Sequence, residues 1–243
     1  MIRSLIFFVL LASLNLTACA QSQPQEVPFV GCPGDGQTGP VAAPTGRAQR
    51  VKLEASTASQ LAFYEASGPS GSLSVLAPRG WSCFYRYGSS GSFLVVAPAT
   101  GITNAPRPGI ASPGVVVNYY FGDTSGRFIV ADYAARLFLE TERDYVQRVI
   151  DEGLVPKENF SLGPYPDDIL RYRSDTLVEF ETPAHRKGIG NSGQESSEPI
   201  YGLASLDDPG DEPNLFLLTI RLPPEQRGLR SAIMAPFEEA KAK

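Results

Sequence analysis

Turn-forming residues divide this chain into short segments. Its 243 residues include 23 Gly and 21 Pro, and most of them fall between short apolar runs. This composition is unusual for a helical protein and typical of strands joined by tight turns. The sequence therefore predicts turn-rich β structure.

Seven apolar, β-branched or aromatic runs have the length of strands. They are residues 72–77, 82–87, 93–97, 115–121, 175–181, 200–205 and 215–222. The first three are separated by Pro78-Arg79-Gly80 and by residues 88–91, a spacing that predicts antiparallel hairpins. Residues 98–114 contain four prolines and three glycines, so they are expected to form a surface loop.

One long helix and one C-terminal helix are expected among these strands. From Asp132 onward apolar residues recur mostly at intervals of three and four, and Gly153 supplies a stop. A second helix, residues 225–243, follows Pro223-Pro224. The predicted fold is α+β, with an antiparallel β-sheet covered by a long central helix and a C-terminal helix.

The N-terminus resembles a bacterial lipoprotein signal. Arg3 precedes an apolar run, residues 5–11, that is too short to span a bilayer. Leu16-Thr17-Ala18-Cys19 fits the lipobox, which implies a signal peptide over residues 1–19 and acylation of Cys19. Stable attachment requires two or more chains, which this resemblance supplies. The expected location is the cell envelope, lipid-anchored and facing the periplasm.

Other N-terminal processing is open from sequence. Ala18-Cys19-Ala20 also fits an ordinary signal peptidase site, which would release a soluble secreted protein beginning at Gln21. An uncleaved N-terminal helix is a third alternative. Residues 20–27 are mostly polar and are expected to form a flexible tether. Residues 28–243 are then expected to form a single domain.

The two cysteines besides Cys19 are expected to pair. In an oxidising compartment Cys32 and Cys83 should form a disulfide, although two buried free thiols are the alternative. The chain has one histidine, so these two thiols lack the further Cys or His ligands that a zinc site needs. We expect no metal and no other cofactor.

Charge argues against a nucleic-acid partner. The formal net charge is −5, and loss of Arg3 with the signal makes it −6. Binding to phosphates needs a basic face, and the densest basic cluster is Arg171-Tyr172-Arg173, which is more simply a solvated face of a strand. The expected partners are the membrane, through the lipid, and an unknown envelope protein or small ligand.

His185 would be the base of any serine hydrolase built on this chain. No Gly-x-Ser-x-Gly motif accompanies it, because residues 88–91 and 190–193 have the wrong spacing and fit turns. A solvated histidine in the long loop 183–199 is the simpler interpretation. We expect no catalytic residue, while loops of this length are often functional.

Two further groups of residues are candidate binding sites. Asp207, Asp208, Asp211 and Glu212 supply ligands suited to Ca²⁺, but their spacing matches no EF-hand and favours an acidic turn. Aromatic residues near the predicted strands could line a ligand groove or form the sheet core. The groove candidates are Trp81, Tyr85 and Tyr119.

Two further motifs resemble known protein families. Ala77-Pro78-Arg79-Gly80-Trp81, followed by the predicted element order over about residues 72–240, resembles PsbP-like domains. That resemblance implies an α/β/α sandwich with an accessory role. Gly31-Cys32-Pro33 together with Gly80-Trp81-x-Cys83 resembles uncharacterised bacterial exported proteins and lipoproteins. Neither resemblance transfers catalytic residues.

The sequence as a whole predicts a cell-envelope lipoprotein that acts as a non-catalytic binding or accessory protein. Two alternatives stay open. One is an exported hydrolase that uses His185 and residues of the loops, and the other is a small-ligand carrier that uses the aromatic sheet face.

Overall fold

The computed structural model describes residues 24–98, 113–191, 195–207, 209 and 211–241. Within these residues about 40% lie in strands and 25% in helices. Eight strands form one sheet, and the others form a three-stranded and a two-stranded sheet. The described part of the chain is therefore mostly β.

The eight-stranded sheet is antiparallel except at one edge, where β3 (Gly34–Gly36) runs parallel to β7 (Ser82–Gly88). Its strands in spatial order are β10 (Ile169–Ser174), β11 (Leu177–Thr182), β12 (Ile200–Asp207), β13 (Asn214–Arg221), β9 (Gly114–Tyr120), β8 (Gly91–Ala97), β7 (Ser82–Gly88) and β3 (Gly34–Gly36).

The seven strands predicted from apolar runs are confirmed, with boundaries shifted by at most two residues. Strand β10 was not predicted, because its residues carry little apolar signal. Most of its side chains are exposed at the sheet edge, and Leu170 is the one half-buried member. An edge strand exposed in this way needs no alternating apolar face.

The smaller sheets lie at the N-terminal end of the chain. In the three-stranded sheet β2 (Phe29–Gly31) runs parallel to β5 (Leu61–Gly68), which pairs antiparallel with β6 (Gly71–Pro78). In the two-stranded sheet β1 (Gln25–Val27) pairs with β4 (Gln49–Val51). Residues 25–27 thus lie in a strand although the predicted tether extended to residue 27, and Val27 is fully buried.

Two hydrophobic cores lie on opposite faces of the large sheet. Successive residues of a strand point to opposite faces, so Leu218 joins one core while Leu217 joins the other. The first core includes Tyr64 from β5 and Ile233 from the C-terminal helix. The second includes Val130 and residues of two consecutive helices. The helices are α1 (Ala55–Ala58), α2 (Arg127–Leu137), α3 (Leu139–Asp151) and α4 (Arg230–Lys241).

The α+β prediction, with its long central helix over the sheet and its PsbP-like sandwich, is wrong. The fold is mostly β with short helices, and the predicted long helix is two helices of 11 and 13 residues. They meet at Phe138, whose backbone is not helical (φ −131°, ψ 26°). One straight helix over these residues would be roughly 37 Å long, whereas strands of seven or eight residues span about 25 Å. The break lets both segments bury their apolar residues in one core.

Candidate binding site at the loop between β11 and β12

The loop that joins β11 to β12 spans residues 183–199, of which 183–191 and 195–199 are described. The start of the loop is held in place by the Asp168 carboxylate. This carboxylate accepts hydrogen bonds from Thr182 Oγ1 at 2.6 Å and from the Ile189 N–H at 2.8 Å. The Gly190 N–H donates to Thr182 Oγ1 at 3.1 Å. Burial raises the pKa of Asp168, and these donors partly oppose that rise. The loop therefore rests on a polar network within the fold.

Asn191 holds the outer part of the same loop. Its Oδ1 accepts from the Gly188 N–H and its Nδ2 donates to the Arg186 carbonyl, both at 2.8 Å. Asn191 is fully buried, and both of its polar groups are used. The described part of this long loop is thus held together by hydrogen bonds between its own residues.

His185 lies on the exposed side of the loop. Its backbone adopts φ 58°, a left-handed conformation in which histidine is several-fold enriched among non-glycine residues. Its N–H donates to the Ser196 carbonyl at 2.7 Å, which joins the two described parts of the loop. Across the described residues its imidazole makes no hydrogen bond to a serine or a carboxylate. In that part of the chain the proposed hydrolase base is therefore not hydrogen-bonded to a candidate nucleophile.

Arg221, the last residue of β13, lies beneath the end of this loop. It is 6% exposed. Its Nη2 donates to Ser197 Oγ at 3.0 Å, while Nε and Nη1 are buried without a hydrogen-bond partner among the described residues. Burial lowers the pKa of Arg221, and the charge of Glu198 acts in the opposite direction. A buried cation with unused donors is the most unusual electrostatic feature of the described structure.

The carboxylate of Glu198, whose charge acts on Arg221, is already engaged. Glu198 forms an ion pair with Arg227, through Oε2 and Nη2. The side chain of Arg227 is 44% exposed, so this pair lies toward the surface. In the described part of the chain Arg221 itself forms no ion pair. Two arginines of the described chain, Arg221 and Arg227, thus share the charge of Glu198.

Arg221 was not singled out from the sequence. The only signal was a charged residue inside the apolar run that became β13, between Ile220 and Leu222. From the sequence alone, Arg221 could equally lie at a strand end that is exposed to solvent. Its burial follows from pairing with β9, where Arg221 lies opposite Gly114, and from the neighbouring loop.

The predicted groove residues pack against a single core cluster. Tyr85 is fully buried, and its hydroxyl donates to the Gly71 carbonyl at 3.2 Å. Trp81 and Tyr119 are half-buried, and the Tyr119 ring meets Phe121 edge-on with centroids 5.8 Å apart. The groove stays a prediction, and the burial of Tyr85 favours a core role for that residue.

The acidic turn between β12 and β13 borders a surface cleft of about 640 Å³. Two ion pairs line it, between Arg148 and Asp211 at 3.1 Å and between Arg127 and Glu152 at 2.7 Å. Asp208, one of the considered calcium ligands, lies outside the described residues. Among the residues with described positions, no three His, Cys, Asp or Glu side chains are arranged to hold a metal ion.

The predicted disulfide is confirmed. Cys32 and Cys83 are bonded, with their Cα atoms 5.4 Å apart. The predicted lipidation site, Cys19, lies outside the described residues. Over the ranges that are described, every helix is too short or too polar to cross a bilayer.

Comparisons of the chain with protein-family models, with curated proteins and with solved structures found no match.

Proposed function

We propose that this chain is an exported protein held at the bacterial envelope membrane by a lipid on Cys19, and that it acts as a non-catalytic binding or accessory protein. The lipobox supplies the anchor and the disulfide agrees with an oxidising compartment. The binding role has its support in the internally bonded loop and in the unused donors of Arg221.

The start of the fold carries the anchoring part of the proposal. Strand β1 begins at Gln25, six residues after Cys19. An extended chain advances at most about 3.6 Å per residue, so Cys19 and Gln25 are separated by no more than about 20 Å. A lipid on Cys19 would therefore hold the surface around β1 close to the lipid headgroups.

The surface beside β1 is suited to that position. The antiparallel partner β4 places Arg50 opposite Glu26, and Arg47 and Lys52 are exposed on the same short segment. Glu26 and Glu54 reduce the local charge to 3 − 2 = +1, in a chain whose formal net charge is −5. Basic residues close to an anionic membrane contribute about 1 kcal/mol each. This side of the fold is thus more favourable toward anionic lipid than the chain as a whole.

Membrane fractionation of the full-length protein produced in a bacterial host tests the anchor. The wild-type protein is expected in the membrane fraction, and Cys19→Ser is expected in the soluble fraction, since the modified sulfur is lost. A Cys32→Ser/Cys83→Ser variant is the matched control, because it loses two cysteines but keeps the lipobox. Equal membrane retention of wild type and Cys19→Ser would refute the lipid anchor.

A further inference from the structure

The donors of Arg221 point to a ligand. An arginine carries five N–H donors, and three of them, on Nε and Nη1, have no hydrogen-bond partner in the described part of the chain, although the residue is only 6% exposed. A buried charge is costly unless an opposite charge and hydrogen bonds compensate it. An apolar residue would fit between Ile220 and Leu222 without that cost.

We infer that Arg221 is the anchor of a binding site for an oxyanion, a carboxylate or a phosphate group, beneath the loop between β11 and β12. This inference rests on the binding role proposed above and names the ligand class. The planar guanidinium favours such groups, because it donates two parallel N–H bonds to two oxygens of one anion.

Glu198 and Asp168, two carboxylates of the loop region, are committed elsewhere, and Glu195 of the same loop is exposed to solvent. Glu198 is paired with Arg227, and both oxygens of Asp168 accept hydrogen bonds from Thr182 and Ile189. Moving the Asp168 carboxylate to Arg221 would leave the buried donors of Thr182 and Ile189 without an acceptor, whereas Glu198 is held by the exposed Arg227. An external oxyanion satisfies Arg221 without breaking these contacts.

Ser197 supplies a second donor and marks the approach. Its Oγ accepts the bond from Arg221 Nη2, so its own hydroxyl hydrogen is available to an anion. Ser197 is exposed, which places this edge of the guanidinium just below the surface.

Among the described residues, Gly114 leaves room on the side of β9. It lies opposite Arg221 in the sheet and has no side chain. A Cβ placed there would meet its nearest neighbours, the Val96 carbonyl oxygen and Ala97 Cβ, at 3.6 and 3.9 Å. These are ordinary contact distances, so a side chain at position 114 would not clash with these neighbours.

Thermal unfolding of the full-length protein with inorganic phosphate, and separately with acetate, tests the inference. Sodium chloride at matched ionic strength is the reference. With phosphate about 100-fold above its dissociation constant, the melting temperature is expected to rise by roughly 5–10 °C. The shift should persist in Arg186→Met, which removes an exposed arginine of the same loop but leaves Glu198 paired with Arg227. It should disappear in Arg221→Met.

The same variants separate a ligand site from a structural arginine. Without oxyanion, Arg221→Met is expected to melt at or above the wild-type temperature, because it removes an uncompensated buried charge. A rise with acetate but not phosphate would assign the site to carboxylates, and the reverse would assign it to phosphates. No shift with either anion, or an equal shift in Arg221→Met, would overturn the inference.

Arg221→Lys covers the case in which Arg221→Met does not fold. Lysine keeps the charge but lacks the planar pair of donors, so isothermal titration should show affinity about 10- to 100-fold weaker for whichever anion binds the wild type. Unchanged affinity would overturn the inference. None of these readouts depends on the lipid, so their failure would leave the anchor at Cys19 to be judged by fractionation.

Discussion

The disulfide between Cys32 and Cys83 links the end of β2 in the three-stranded sheet to β7 in the eight-stranded sheet. Cys32 is almost fully buried, and both cysteines pack against the core between these sheets. The Cys32 N–H also donates to the Glu65 carbonyl at 2.8 Å. The covalent bond therefore crosses the core that the two sheets enclose.

Removing this bond should destabilise the fold. The Cys32→Ser/Cys83→Ser variant is expected to lose about 2–5 kcal/mol of unfolding free energy, because its unfolded chain is no longer constrained over 51 residues. Denaturant unfolding measures the loss, and wild type in reductant should show a comparable decrease. Equal stability of the oxidised and reduced protein would contradict this structural role.

The turn between β7 and β8 contains a matched pair of glycines. Gly88 and Gly91 lie opposite each other, but Gly91 has φ 138° and a Cβ there would lie 2.1 Å from the Tyr119 carbonyl oxygen. Gly91→Ala should therefore destabilise the protein by about 1–3 kcal/mol or more. Gly88→Ala is the control, since a Cβ at that position meets nothing within 4 Å. Similar melting temperatures for the two variants would show that this turn is not under the steric constraint.

Tyr64 should give the fold a defined alkaline pH dependence. Its hydroxyl donates to the Pro78 carbonyl at 2.8 Å and the Trp81 carbonyl at 3.1 Å, and burial raises its pKa from 10.0 to about 12. Its contribution is therefore fully present below pH 10 and is lost as the pH rises toward about 12. The loss amounts to about 2–3 kcal/mol of unfolding free energy.

Comparison with Tyr64→Phe isolates this contribution from other groups that titrate at alkaline pH. The variant should be less stable at neutral pH, because two buried carbonyls lose their donor. Its unfolding free energy should fall less between pH 9 and about pH 12 than that of the wild type. Parallel pH profiles for the two proteins would contradict the assignment.

Asp168 should hold the loop between β11 and β12 in place. Asp168→Ala leaves the Ile189 N–H and the Thr182 hydroxyl without their acceptor, at a cost of about 1–3 kcal/mol. Amide hydrogen exchange at Ile189 should accelerate in this variant. Asp167→Ala is the neighbouring control, since Asp167 contacts only Arg186, at 3.9 Å, among its described ion pairs. Unchanged exchange at Ile189 in Asp168→Ala would show that the carboxylate does not order the loop.

The strands of the large sheet could be predicted where an apolar run is bounded by turn-forming residues, as in 82–87 and 93–97. The pairing of Cys32 with Cys83 followed from their number. The break at Phe138 was not predicted: the apolar recurrence lapses over residues 140–144 directly after it, but such a polar stretch also fits an exposed part of one continuous helix. The two helices pack into one core on the sheet. Arg221 shows the same limit, since its burial depends on contacts between β13, β9 and a distant loop.

Intact mass spectrometry of the native protein extracted from cells, with and without reduction, tests the account most directly. We predict a chain that begins at Cys19 and carries acyl chains, and that gains about 2 Da on reduction of one disulfide. A chain that begins at Gln21 without lipid would contradict the membrane anchor. An unchanged mass on reduction would contradict the disulfide between Cys32 and Cys83.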